Sequence, residues 1–424
     1  MNRQLSEAVV AAFQADGPEA VHELFAVFSE REWSRTTEWL HSSGLALYFL
    51  ERMTALGTED VMPPALVRQL KINREENRVR TADMFEEFVR LNTDLMRAGI
   101  SYLNLKGFTL APSAFADPSI RYLLDLDFLV ARRDAERCAR IMERHGYQVK
   151  GVYGNTWEFY GGTPTKTTIR DLYRVRPVRS VEVHMVPEVE EARAQDGGDR
   201  MSRMQLQMWN GFEFPALSDA DKLLSQASHL FQHFQWQWTR TSWLLEYNNA
   251  ARYYQNNTSL WQEVVASIDA APETRIGVAL ASLVTSQTFG TIFPPQFAAR
   301  TMDLLKPEVL MWVKHYRRDL VFTDHPGSKL YLLLQDVLLG DQPQWLETRR
   351  KRLLPLQLPP AVMLRPNNSL RMRWLTATTQ LRYTAGRLLF HIREGARYKL
   401  EAARWRRFVT KTGLQRKEAS YARD

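Results

Sequence analysis

Apolar residues over the first hundred positions recur at helical spacing. Met84, Phe88, Leu91 and Leu95 follow one another at steps of four, three and four, which puts them on one helix face. The stretch 63–98 therefore reads as one long helix, with Gly99 placed to end it. Residues 33–53 read as two shorter helices broken at Gly44. The period then changes from near four to two. Residues 100–107 are short, apolar and closed by a glycine, as a buried strand would be. From Asp125 to Val130, Asp125, Asp127 and Leu129 alternate with Leu126, Phe128 and Val130, which predicts a strand with two unlike faces. Residues 134–146 return to helical spacing, with Asp134 able to cap the start and Gly146 the end. Around residue 182 the alternation reappears, with Val181, Val183 and Met185 opposite Glu182 and His184.

Beyond Ser218 the pattern is helical again. Ser218 and Asp221 fit a capping box, and Leu223, Leu224, Ala227, Leu230, Phe231 and Phe234 form an apolar face. Prolines interrupt at 272, 294–295 and through 353–366. The organisation expected is a helical region over 1–98, an α+β core over 99–215, a helical domain over 216–355, and a Pro-rich linker with a basic amphipathic tail over 356–424.

Composition changes this picture little. Hydrophobic residues make up 45% of the 424 and charged residues 25%, so a large core is within reach and wholesale disorder is not expected. The one cysteine, Cys138, sits among Ala135, Ile141 and Met142 at helical spacing and reads as a core thiol. It rules out an internal disulfide and a multi-cysteine zinc site. The N-terminal residues lack the long apolar core of a secretory signal, and the uncharged stretch 276–293 is diluted by Ser, Thr, Gln and Gly. A cytoplasmic protein without a transmembrane segment is the expectation. The net charge of +8 is uneven. Residues 365–417 hold 14 Lys and Arg against two Asp and Glu, so this stretch carries +12 and the rest about −4. The catalytic region need not be a nucleic-acid surface.

The chemistry gathers in the α+β block. Two aspartates one residue apart on a strand share a face. Like charges that close need a cation or a shared proton. Mg²⁺ takes hard oxygen ligands and leaves positions open for phosphates, with Mn²⁺ as the alternative. Lys106 and Gly107 end the preceding strand, Arg121 lies four residues before Asp125, and Glu182 offers a third carboxylate beside His184. Together these suit a metal–triphosphate site. Each has a plainer reading. Lys106 can be a strand-end lysine reaching water, Arg121 can pair with Asp117 or Asp125, and Glu182 can be solvated. His184 can orient a ligand or be structural.

The linked pattern, residues 104–110, 117–130 and 181–185, resembles the uncharacterised nucleotidyltransferase family of bacteria, within the polymerase-β-type superfamily. The resemblance extends over roughly residues 20 to 290, through the helical stretch 217–254. It implies a small mixed sheet flanked by helices. It implies that Asp125, Asp127 and Glu182 bind metal, and that Glu182 favours deprotonation of the attacking hydroxyl. Lys106 and Gly107 stand where the superfamily has a Gly-Ser phosphate-binding turn, and Arg121 would contact phosphates. The activity implied is transfer of a nucleoside monophosphate from a Mg-NTP, such as ATP, to an acceptor hydroxyl or phosphate. The acceptor is open: a small molecule, glycan, protein or RNA, with surface-polysaccharide or natural-product pathways as the setting. Glu246 replaces the Asp often found after the Trp-Leu step, so no role is assigned to it.

Three further features stay open. His229 and Arg240 are candidates for substrate contact, and His229 with His233 has a zinc-like spacing but no third ligand. The basic tail can lie on an anionic membrane, as a peripheral contact at its inner face, can bind RNA, or can be a solvated helix. Two rival functions also stand beside the transferase: a toxin-like enzyme that modifies tRNA, and a nucleotide-binding protein without catalysis.

Overall fold

A computed structural model describes residues 1–162, 171–175, 178–186, 199–355 and 370–411, with the side chains of 370–373, 375 and 376 left aside. Helices α1 (Arg3–Ala11), α2 (Pro18–Phe25), α3 (Glu30–Ser42), α4 (Ala46–Leu56) and α5 (Pro64–Arg97) come first. The break expected at Gly44 falls between α3 and α4, where Gly44 has φ 80°. Proline at the first position of α5 costs nothing there, because that N–H has no helical partner. Gly99 follows α5 with φ 62°, the left-handed conformation that lets the chain turn into the sheet.

The α+β block holds β1 (Tyr102–Leu105), β2 (Asp125–Val130), α6 (Ala135–Arg144), β3 (Tyr147–Tyr153), β4 (Thr156–Gly162), β5 (Val178–Met185), β6 (Gln205–Trp209) and β7 (Phe212–Ala216). They form one mixed sheet in the order β3-β4-β5-β2-β1-β7-β6. The period of two sorts its faces as expected. Phe128, Val130, Val181 and Val183 are buried in a core shared with Phe88, Leu91 and Leu95 of α5 and with Cys138 and Met142 of α6. Asp134 does not cap α6 with its side chain. Its carboxylate instead accepts from the Ser101 backbone N–H (3.2 Å) and from Arg137 (2.5 Å).

Buried amides tie the sheet to α5. Asn77 donates to the carbonyls of Ser119 and Arg121 (2.5 and 3.0 Å), which fixes the loop entering β2. Asn104 of β1 donates to Asn92 of α5 (2.7 Å) and to the Pro215 carbonyl of β7 (2.9 Å). An unpaired buried amide would be costly, so these contacts set the relative placement of helix and strands.

The chain then forms α7 (Asp219–Phe234), α8 (Thr241–Tyr253), α9 (Thr258–Ala270), α10 (Arg275–Phe289), α11 (Pro295–Arg300), α12 (Pro307–Val321), α13 (Tyr331–Leu339), α14 (Trp345–Leu353) and α15 (Leu370–Lys411). Ser218 accepts from the Asp221 N–H and caps α7 (3.2 Å). After Arg275, helix α10 covers most of the uncharged stretch seen in the sequence, and it is largely buried. No helix among the described residues is long and apolar enough to cross a membrane. The first four helices and α7 to α14 share one hydrophobic core. Most of the proline-rich stretch, 356–369, lies outside the described residues.

Candidate active site

Strand register builds the site. β2 and β5 run parallel with Asp127 opposite Glu182, Asp125 opposite Ser180, and Leu129 opposite His184. Opposed residues in a sheet point to the same face. Asp125, Asp127, Glu182 and His184 therefore share a surface, away from the core packed on α5 and α6. β4 lies antiparallel to β5 and sets Glu158 opposite Glu182, so three carboxylates cross three strands in a row. Glu158 escaped the sequence reading, although its alternation in residues 156–160 carried the signal. Its carboxylate accepts from Tyr160 Oη (2.8 Å) and pairs with Lys150 (3.4 Å).

Asp127 is the hub. Its side chain is 2% exposed and meets Lys106 Nζ at 2.8 Å and His184 Nε2 at 3.1 Å. His184 Nε2 also reaches Glu182 Oε2 at 3.3 Å, and Nδ1 meets Thr156 Oγ1 at 2.9 Å. Ligating atoms of Asp127, Glu182 and His184 lie within 4.8 Å of one another. Asp125 shares the face but stands outside that tight cluster, and His184 takes a place in it. Burial works against charge on Asp127, but Lys106 and His184 outweigh it and hold its carboxyl well below the usual range. For Asp125, burial and then the Asp127 charge push the pKa up to about 6. Burial also opposes charge on Lys106 and His184, yet Asp127 keeps both pKa values raised, that of Lys106 to about 12.

Lys106 owes its position to backbone shape. It leaves β1 at φ 50°, rare for a side chain with a Cβ. Gly107 follows at φ 50° and opens a turn through Leu110. The space a Cβ at Gly107 would occupy holds no atom within 4 Å.

Beyond Lys106 a cavity lies between this turn, α7 and α8. Lys106, Arg121, Lys222, Gln226, His229 and Trp243 line it. Arg121 Nε bonds Glu246 Oε1 at 3.0 Å, and Tyr48 Oη donates to the same oxygen at 3.0 Å. Neither sequence alternative for Arg121 is its partner: Asp117 pairs with Arg74 instead. Glu246, given no role from the sequence, anchors Arg121 to α8 and α4. His229 faces the cavity with its ring 4.6 Å from both His233 and Trp243. Burial drives the pKa of His229 well below the ordinary value and that of His233 to about 4, so both are neutral at pH 7. Arg240 does not line the cavity. Its guanidinium lies over Tyr122 (4.7 Å) and Trp243 (5.2 Å).

Lys222 and Gln226 also escaped the sequence reading. They precede His229 by seven and three residues, one helix face, which was the available signal. Lys222 pairs with Asp219 (3.0 Å). Both carboxamide atoms of Gln226 are out of solvent contact and have no hydrogen-bond partner.

Residues 29–289 match the profile of a family described as uncharacterised nucleotidyltransferase. The chain belongs to that family. It is also similar to an antigenic nucleotidyltransferase-like protein from Paracoccidioides brasiliensis, 12% identical, over 53% of this chain and 95% of that one, with a TM-score of 0.28. That likeness is too slight to bear on the chemistry. No curated protein matches this chain. The mixed sheet with helices on either side agrees with the family and with the fold that the resemblance implied.

Proposed function

We propose that this nucleotidyltransferase moves a nucleoside monophosphate from an NTP to an acceptor oxygen. The observation that carries the reading is the β2–β5 register, which puts Glu182 beside Asp127 while Lys106 and His184 close on the same carboxylate. The donor set fits a hard divalent cation: carboxylate oxygens from Asp125, Asp127 and Glu182, with the His184 imidazole making Mn²⁺ as suitable as Mg²⁺. When bound, such an ion neutralises phosphate charge and lowers the barrier to displacement at phosphorus.

The chain's own residues do the rest. Lys106, with Lys222 and Arg121 farther along the cavity, supplies positive charge along a polyphosphate. The turn at Gly107 admits the phosphates. The acceptor oxygen forms its bond to the α-phosphorus as the bond to the β-phosphate bridging oxygen breaks, and pyrophosphate leaves. The acceptor's proton passes to Glu182, whose side chain is 28% exposed and so reachable from solvent, with His184 in contact. The donor base is assigned to Gln226 on the cavity wall. A carboxamide offers a donor and an acceptor side by side and pairs with the N6–H and N7 of adenine. Gln226 has both atoms free for this.

Asp125→Asn and Asp127→Asn should each cut pyrophosphate release at least a hundredfold, with circular dichroism unchanged. Activity within a few-fold of wild type in both would overturn the proposal.

A further inference from the structure

Helix α15 has two apolar faces, and only one is used. His391, Glu394, Tyr398, Trp405 and Val409 are buried, at steps that place them on one side. Tyr398 and Trp405 belong to the core shared with α12 and α13. Roughly 120° round the axis, at about 100° per residue, lies a second stripe. Trp374, Leu381, Leu388, Leu389 and Ile392 are 70%, 69%, 59%, 67% and 56% exposed. Among the described residues nothing covers them. Single exposed leucines are ordinary, but five large side chains in a row along one face are not.

Charge identifies the occupant. Residues 370–411 hold eleven Lys and Arg against two Glu, a net of +9. Both acids turn inward: Glu394 accepts from Ser328 Oγ (3.1 Å), and Glu401 from Tyr316 Oη (3.3 Å). The exposed side is cationic only. Arg382 and Arg393 flank the apolar stripe, and Lys399, Arg406 and Arg407 extend it. A second copy of the same face would meet its own charge. A single-stranded nucleic acid would match the arginines but leave leucine and isoleucine in water. A bilayer with anionic headgroups satisfies both, since apolar side chains enter the acyl boundary while arginines stay among the phosphates.

We infer that α15 docks the protein on an anionic lipid surface through Trp374, Leu381, Leu388, Leu389 and Ile392, with flanking arginines on the headgroups. This stands apart from the transferase reading, since none of these residues belongs to the candidate site.

The test is co-sedimentation of the full chain with phosphatidylcholine vesicles, with and without phosphatidylglycerol. Wild type should pellet with the anionic vesicles, less so at high salt, and stay in solution with phosphatidylcholine alone. Leu389→Glu with Ile392→Glu should weaken partitioning about tenfold or more. Arg382→Ala and Arg393→Ala should each weaken it roughly fivefold. Exposed positions should leave the melting temperature unchanged, which separates lost docking from lost folding. Equal pelleting of wild type and the Leu389/Ile392 variant would overturn the inference. So would binding to an RNA oligonucleotide but not to vesicles. A dimer that the Leu389/Ile392 variant dissolves, with no vesicle binding, would reassign the face to a second copy and overturn it as well.

Discussion

Burial treats Asp125 and Asp127 unequally because their neighbours differ. Asp127 has Lys106 and His184 within hydrogen-bonding distance, so its charge is compensated. Asp125 feels the Asp127 charge without a bonded cation of its own, and its pKa rises to about 6. An acid whose folded pKa lies above its unfolded value near 4 is favoured protonated, so its share of stability is lost as pH rises from about 4 to 6. In metal-free protein Asp125→Asn should therefore stabilise the fold at pH 8 by about 1–3 kcal/mol and leave it unchanged at pH 4. Melting curves at the two pH values check this, and equal effects at both would contradict it. A strained carboxyl of this kind is what a site gives up in stability to hold a cation. The shared face of the two aspartates was legible from their spacing alone. The inequality was not, because it depends on Lys106 and His184, which are 21 and 57 residues from Asp127.

Elements carry the next level. Helix α7 lays Lys222, Gln226 and His229 along one face against the cavity, and Trp243 of α8 closes it. If Gln226 reads the base, Gln226→Leu should reduce the preference for ATP over GTP by about tenfold or more, since guanine shows only acceptors on the matching edge. Competition binding of the two nucleotides measures it, and an unchanged ratio would remove Gln226 from donor choice. Period-two alternation made β2 and β5 readable, because each carries apolar residues on one face and carboxylates on the other. The β3–β4 and β6–β7 hairpins were harder to read. Their exposed positions, including Val149, Val152, Leu206 and Met208, carry apolar residues that blur the alternation. The Arg121–Glu246 pair spans 125 residues, and spacing says nothing about such a contact.

At the scale of the whole molecule, the helices before and after the sheet form one body. Leu47, Phe49 and Trp39 share a core with Tyr247, Trp261 and Phe289. Tyr48 reaches Glu246, which holds Arg121 at the cavity wall. The N-terminal helices thus help position a residue of the site from outside the sheet. The family match over residues 29–289 spans the N-terminal helices from α3 onward, the sheet, and α7 to α10, the units that build this wall. The sequence showed helices at both ends of the core. It did not show that they pack together, since helical period reports a face and not the partner that covers it.

In the proposed reaction a cation held by Asp127 and its neighbours recruits an NTP. A ligand that binds only the folded state raises its stability, by about 2.7 kcal/mol at a hundred times Kd. The most direct measurement is therefore a thermal melt with ATP, taken with Mn²⁺ or Mg²⁺ and again with chelator, on wild type and Asp127→Asn. Wild type should show a rise in melting temperature with ATP and metal together, beyond either alone, and Asp127→Asn none. An equal rise in chelator, or in the variant, would contradict recruitment by the cation.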